Sequence, residues 1–384
     1  MELEEILHYF NPWWEGETGF PGILRDAYLD RLGGELKGDR LTLVTGLRRV
    51  GKTTLMKQLI HTLQEEVDAN RILFISLEHF GLRDERVYDI IDVFRKIHSL
   101  PRKERIYVFL DEITYKDDVA RDLKIVHDNE NVKLVASSSS ATGLHDEKAY
   151  LTGRNRVIRI DPLDFREYLT FTGKKASGSE RYLLESYFEE YMEYGGMPEY
   201  VLTRDPALIL ELVSDIIEKD VIARHDVKDR RTIDDLFLLL CERTGKQLTY
   251  NRLARILDVK PDTVKRYISL LEENHLFSVL PRHSKRLNER IRSPKKVYIG
   301  DVGIRNVHTG FRDKGAIYEN LVFLRMRDAV LGYLYRDGTE IDFVTDETLV
   351  EAKYRHDLPE RQEALMRKQR GRKSVVARGH DFFL

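Results

Sequence analysis

The chain has 384 residues, 42% of them hydrophobic, a formal net charge of −2 and one cysteine, Cys241. That length calls for more than one core, while a lone cysteine excludes an intramolecular disulfide framework, and no Cys/His cluster has zinc spacing. A charged fraction of 33% exceeds the usual ~25% and leans toward a thermophile surface rich in ion pairs. The N-terminal Met1-Glu2-Leu3-Glu4-Glu5 lacks the basic and apolar regions of a signal peptide, and no apolar run approaches a membrane span. A cytoplasmic protein with no membrane association is expected.

From about 25 to 170, apolar runs of strand length at 40–45, 71–77, 106–110, 132–137 and 156–160 alternate with amphipathic stretches at 53–67, 84–98 and 117–128. The pattern predicts an α/β fold with a mostly parallel sheet and crossover helices. Between the first strand and helix stands Gly46-Leu47-Arg48-Arg49-Val50-Gly51-Lys52-Thr53. Its G-x4-G-K-[ST] spacing folds backbone N–H groups around a polyphosphate at a helix N-terminus. Residues Gly46, Leu47, Arg48, Arg49, Val50, Gly51, Lys52, Thr53 and Thr54 are therefore expected to hold a nucleotide. In this reading Lys52 reaches the β and γ phosphates and the Thr53 hydroxyl ligates Mg²⁺.

The run Ile106-Tyr107-Val108-Phe109-Leu110 ends in Asp111-Glu112. An acid at such a strand end can hold the water shell of Mg²⁺, and its neighbour can orient or deprotonate an attacking water. Asp111 takes the first role and Glu112 the second. No N-K-x-D guanine-reading motif occurs in the sequence, which favours ATP over GTP.

Residues 172–180 have linker composition, and 181–245 read almost entirely as helix, a helical lid. Two short helices at 249–257 and 262–273 flank a turn at 258–261 and precede a strand at 276–280, the order of a winged helix-turn-helix. Residues 243–296 hold fourteen Lys or Arg against five Asp or Glu, a local excess that points to DNA. Thr263, Lys265 and Arg266 on the second helix, and Arg282, Lys285 and Arg286 in the following basic wing, are the candidate contacts.

Farther on, Glu319 lies on a helix over 315–330, and strands are expected at 333–336, 340–344 and 349–354. Period-two alternation puts Glu340 with Asp342, and Glu351 with Lys353, on common faces. Such oxygens can gather Mg²⁺ or Mn²⁺ beside a lysine that stabilises phosphate charge, and alternating acids on a hairpin are also common solvent decoration.

Taken together, these residues resemble a large archaeal and bacterial family of P-loop ATPases of the AAA+/STAND group. The matching stretches are 46–53, Phe109-Leu110-Asp111-Glu112, Leu151-Thr152-Gly153-Arg154 running into Pro162-Leu163-Asp164-Phe165-Arg166-Glu167-Tyr168, Tyr194-Gly195-Gly196-Met197-Pro198, and Tyr318-Glu319-Asn320 with Glu340-Ile341-Asp342-Phe343 and Glu351-Ala352-Lys353. The resemblance implies a P-loop ATPase core at 1–171, a helical lid at 172–245, a winged helix-turn-helix at 246–296 and a restriction-endonuclease-like PD-(D/E)xK domain at 297–384. It also implies a γ-phosphate sensor among Ser137–Ser140, and a catalytic Arg154 acting in cis or from a neighbouring subunit of a homo-oligomer or ring. Pro198 would lie near adenine, and Glu319, Asp342, Glu351 and Lys353 would form a second Mg²⁺ or Mn²⁺ site. The expected function is ATP hydrolysis that modulates DNA engagement, with an ATP-gated nuclease or a scaffold binding a protein partner as alternatives.

Overall fold

Strand β1 (Leu41–Thr45) is buried along its whole length because it lies inside a five-stranded sheet with neighbours on both sides. The computed structural model describes residues 2–384 except 18, 20, 21, 117, 141–152, 177–179, 226, 228, 356, 370 and 371. Leu151, Thr152 and the Ser177-Gly178-Ser179 part of the expected linker fall outside the described residues. The chain divides into two compact units, Met1–Asp161 and Pro162–Leu384.

In the first unit, helices α1 (Leu3–Phe10) and α2 (Asp26–Leu36) precede β1, followed by α3 (Lys52–Leu63), β2 (Ile72–Ser76), α4 (Val87–Ile97), β3 (Ile106–Asp111), α5 (Val119–Asn129), β4 (Val132–Ser138) and β5 (Asn155–Arg159). The sheet order is β2-β3-β4-β1-β5, and every pairing is parallel. Near-continuous apolar strands follow from this, since crossover helices exclude water from a parallel sheet. Edge strand β2 is closed by side chains: Asn11 donates to the Phe74 carbonyl at 2.8 Å and accepts from its N–H at 2.6 Å. The Trp14 indole adds a bond to the Ile72 carbonyl at 3.0 Å. An edge satisfied in this way offers no template for another strand.

The second unit opens with α6 (Phe165–Phe171), α7 (Tyr182–Tyr194), α8 (Pro198–Thr203) and α9 (Pro206–Asp215), the last continuing into a π-helix at Ile216–Ile222. After α10 (Arg230–Glu242) come β6 (Gln247–Leu248), α11 (Tyr250–Leu257), α12 (Pro261–Glu273), β7 (Phe277–Leu280), α13 (Leu287–Arg292) and β8 (Lys295–Ile299), with a three-stranded sheet of order β6-β8-β7. Helices α14 (Val302–Thr309) and α15 (Lys314–Met326) lead into β9 (Gly332–Arg336), β10 (Thr339–Val344), β11 (Thr348–Ala352), α16 (Glu360–Lys368) and β12 (Lys373–Ala377). Here the order is β12-β11-β10-β9, antiparallel except for the β11–β12 pair, which α16 connects in parallel.

Residues 165–171, expected in the ATPase core, belong to the second unit. Phe165 and Tyr168 fall on one helix face after the Asp164–Glu167 capping box, and bury with Phe188 and Tyr191 in a core that also holds Tyr318, Phe343 and Phe383. Helices assigned by sequence to a separate lid therefore share an apolar core with the C-terminal sheet. The turn Gly195-Gly196-Met197-Pro198 is built into the same body: Gly196 N–H donates to the buried Asp301 carboxylate at 2.7 Å, beside a 3.1 Å bond from Ile304 N–H. Burial pushes the Asp301 carboxyl up to about 6 despite these backbone donors.

A Cβ on Gly196 would lie 2.2 Å from the Leu163 carbonyl oxygen, a backbone atom that cannot swing aside. Gly196→Ala is expected to destabilise the second unit by about 1–3 kcal/mol, read as a lower urea midpoint, with nucleotide binding retained.

Candidate functional site

The loop from Gly46 to Gly51 leaves the carboxyl end of β1 and delivers the N-terminus of α3, which carries no side-chain cap. Its shape is imposed by burial and by backbone conformation. Leu47 and Val50 are anchored in the interior, Arg49 and Gly51 take left-handed φ values of 62° and 94°, and Gly46 passes so close to β5 that a Cβ would sit 2.2 Å from the Ile160 carbonyl oxygen. Uncapped amides at a helix N-terminus suit an anion through both hydrogen bonding and the helix dipole. Thr54 follows, half-buried, in the first turn.

Arg25, with no sequence motif to mark it, supports this loop from behind. Its guanidinium is buried, donates to the Val50 carbonyl at 3.2 Å and to the Asp161 carbonyl at 2.9 Å, and stacks 4.5 Å from the centre of the Tyr28 ring. Arg48 donates to the Tyr115 hydroxyl at 3.1 Å. Lys52, 4% exposed, folds back over the loop and donates to the carbonyls of Gly46 and Leu47 at 3.0 and 3.1 Å.

Opposite the loop, β3 ends at Asp111, whose neighbours converge on it. The Thr53 hydroxyl donates to Asp111 Oδ2 at 2.7 Å, and the Ser137 hydroxyl donates to Oδ1. Ser137 in turn accepts the Glu112 N–H at 2.9 Å, and the Ser139 hydroxyl donates to Glu112 Oε2 at 3.1 Å. Glu112 takes a left-handed φ of 53°, a costly conformation for a non-glycine residue. Its other oxygen lies 3.8 Å from the Lys52 ammonium. Burial raises the Asp111 carboxyl above the usual range, against the lowering pull of the Ser137 and Thr53 hydroxyls. Such a desolvated carboxylate beside a hydroxyl is a hard-oxygen pair suited to Mg²⁺. The serines that the sequence left ambiguous thus have distinct contacts: Ser137 holds both acids, while Ser139 holds Glu112.

Arg154 does not join this group. It precedes β5, and its carbonyl accepts the N–H of Leu41, the first residue of β1. It therefore stands at the amino ends of the parallel strands, where it is 41% exposed and pairs with Asp128 at 3.1 Å. The phosphate loop leaves the other end. The strand expected at 156–160 follows Arg154 in the chain, so its place at the amino end was legible from element order. Arg159, level with Thr45 in the β1–β5 register, is the arginine that β5 brings to the carboxyl edge, bonded to Asp161 at 3.0 Å.

In the second unit, Pro198 starts α8. Of the residues expected on DNA, Lys265 is exposed on α12 and Thr263 half-buried at its first turn, while Lys285 and Arg286 are exposed ahead of α13. Arg266 donates to the His225 carbonyl at 2.8 Å. Arg282 is half-buried, donates to the Tyr335 carbonyl at 2.5 Å and lies over that ring; it serves packing between β7 and β9 instead of a free wing. The expected second metal site is also not met. Glu319 and Asp342 converge on the ammonium of Lys296, at 2.6 and 3.1 Å, and Glu351 on that of Lys353 at 2.8 Å. Among the described residues no group of three His, Cys, Asp or Glu side chains is arranged to hold an ion.

Residues 38–169 match the family model of an AAA domain. The first unit has an AAA-type, P-loop ATPase-like fold. That homology gives the chain a general ATP-binding, ATPase-like activity. Residues 185–315 match a model described as a domain of unknown function. An uncharacterised protein of Haemophilus influenzae is 28% identical over 340 residues, covering 84% of this chain and 83% of the relative. One from Methanocaldococcus jannaschii is 28% identical over 328 residues, covering 77% and 67%. Among solved structures, the Walker-type ATPase PABY2304 of Pyrococcus abyssi is similar at 16% identity and a TM-score of 0.49, covering 75% of this chain and 96% of that one. No helix among the described residues is long and apolar enough to cross a membrane.

Steady-state ATPase assays separate the two ends of the sheet. Ser137→Ala, which removes the support of both acids, is expected to lower turnover by about 10–100-fold. Arg154→Ala, which loses one exposed ion pair, should stay within about twofold of wild type.

Proposed function

We propose that the chain is an Mg²⁺-dependent ATP hydrolase whose nucleotide state modulates how its second unit engages DNA. The observation that carries the hydrolase reading is the convergence of Lys52, Thr53, Asp111, Glu112 and Ser139 at the carboxyl edge of the sheet, beside the uncapped N-terminus of α3. Thr53 and Asp111 would hold Mg²⁺, which when bound neutralises the β and γ phosphates. Lys52 leaves its carbonyl partners to meet phosphate oxygens, and the amides of the loop hold the polyphosphate in line. Glu112, steadied by Ser139 and by Ser137 at its backbone, orients water and accepts its proton as the new P–O bond forms and the bond to the β-phosphate oxygen breaks.

The DNA part of the reading draws support from charge and topology. The +9 segment 243–296 folds into α11, α12 and the β6-β8-β7 sheet, a helix pair and antiparallel sheet in the order of a winged helix. Its second helix presents Lys265 to solvent, with Lys285 and Arg286 exposed in the connection between β7 and β8. The C-terminal sequence 361–378, with seven Lys or Arg and one Glu, adds a further basic segment. Control by nucleotide requires ATP to bind the two DNA-binding arrangements with different affinity, since equal binding shifts nothing.

Lys52→Ala should abolish binding of a fluorescent ATP analogue, and Glu112→Gln should bind it but fail to turn ATP over. A Glu112→Gln protein that hydrolyses ATP at the wild-type rate would remove this assignment. For DNA, fluorescence anisotropy with duplex, branched and single-stranded probes should give a logarithmic salt slope near about −5, as for roughly six neutralised phosphates. The affinity should differ between ATP- and ADP-loaded protein. A slope near zero, or equal affinities, would count against the coupling.

A further inference from the structure

The acids of the C-terminal sheet are already holding a cation, and it belongs to the chain. Lys296, on β8 of the helix-turn-helix module, is 1% exposed. Its ammonium lies 2.6 Å from Glu319 Oε1 on α15, 2.7 Å from Glu340 Oε1 and 3.1 Å from Asp342 Oδ1 on β10. An ammonium has three protons to donate, and three carboxylates meet it. Two of the remaining oxygens are committed: Gln247 donates to Glu340 Oε2 at 2.5 Å and the Ala352 N–H to Asp342 Oδ2 at 3.0 Å, while the Tyr298 hydroxyl donates at 2.7 Å to the same Glu319 Oε1 that meets Lys296. Glu351 is taken up by Lys353 at 2.8 Å, by Gln362 at 2.5 Å and by the Asp342 N–H at 3.1 Å.

Lys296 is enclosed by the three carboxylates of Glu319, Glu340 and Asp342 and has almost no contact with solvent, so its charge is met by the acids and not by water. A hard divalent ion needs several of these same oxygens at short range, and it would have to share the space with a fixed positive charge. Removing one partner of so buried a set leaves the others uncompensated, which makes spontaneous exit of the lysine unfavourable.

We propose that Lys296 stands in the place of a divalent ion in this carboxylate set. The C-terminal domain is therefore a metal-free clamp that fastens the helix-turn-helix sheet to the C-terminal sheet and does not cut nucleic acid. The inference is independent of the ATPase reading. It gives the lysine a joining role: β8 carries it, while α15 and β10 supply its partners, so the basic helix pair and the C-terminal sheet present themselves to a partner as one body.

The test is Mn²⁺ titration of the full chain without nucleotide, followed by electron paramagnetic resonance and calorimetry. Wild type and Asp342→Asn are expected to titrate identically, and wild type should leave plasmid intact in Mn²⁺. Lys296→Met should melt at lower temperature, gain a Mn²⁺ site that wild type lacks, recover part of the lost melting temperature on adding the ion, and lose that site again when Asp342→Asn is combined with it. A Mn²⁺ site in wild type that disappears in Asp342→Asn overturns the proposal, as does Asp342-dependent plasmid cleavage or a folded Lys296→Met protein that gains no site. If Lys296→Met does not fold, the comparison of wild type with Asp342→Asn still decides.

Discussion

The hydrogen bond from Thr53 to Asp111 is the constraint on which the proposed nucleotide site depends. It joins the first turn of α3, the helix that follows β1, to the end of β3, and the sheet order places β4 between β1 and β3. With that link in place, the phosphate loop, the two acids and the serines of β4 form one constellation instead of three neighbouring strand ends. The desolvation that raises Asp111 is part of the arrangement: a carboxylate deprived of water interacts more strongly with a hard cation or a hydroxyl than one on the surface.

The two acidic clusters of this chain show how similar residues acquire opposite roles. At the edge of the parallel sheet, Asp111 and Glu112 are held by neutral hydroxyls, and the Lys52 ammonium lies 3.8 Å from Glu112. In the C-terminal sheet, Glu319, Glu340 and Asp342 surround an ammonium at hydrogen-bonding distance, and their charge is satisfied within the fold. Residue types are alike in the two places, and each has a buried lysine from another element. The difference is what that lysine bonds: Lys52 donates to the Gly46 and Leu47 carbonyls, while Lys296 is held by the acids themselves.

Local pattern made much of the first unit legible. Strand runs such as 106–110 and 132–137 are largely apolar because both faces of a parallel sheet are covered, and the helix after the 46–51 loop has regular apolar spacing, so element type and order could be read directly. Contacts between distant residues could not. Arg25 sits 136 positions from its partner Asp161, and Ser137 is 26 from Asp111; nothing in the neighbourhood of either residue announces the pairing. Arg154 precedes the strand expected at 156–160, so its end of the sheet was legible; the resemblance supplied a role, in cis or from a neighbouring subunit, and no position relative to Asp111. Lys296 carried a usable signal: it shares strand phase with the buried Tyr298, so a basic residue pointed toward the interior and required partners there. The expected core boundary at 171 and the end of the first compact unit at 161 differ because Phe165 and Tyr168 read equally well as the last core helix or as the first helix of the next unit.

The close approach of Gly46 to the Ile160 carbonyl has a kinetic meaning. With Arg25 bracing Val50 and two apolar side chains sunk beneath it, the cradle has little freedom left to lose when a triphosphate arrives. Much of the ordering entropy is met when the chain folds, not at each encounter. On the proposed reading, exchange of nucleotide would need to move the Lys52 side chain off its carbonyl partners and could leave the loop backbone in place.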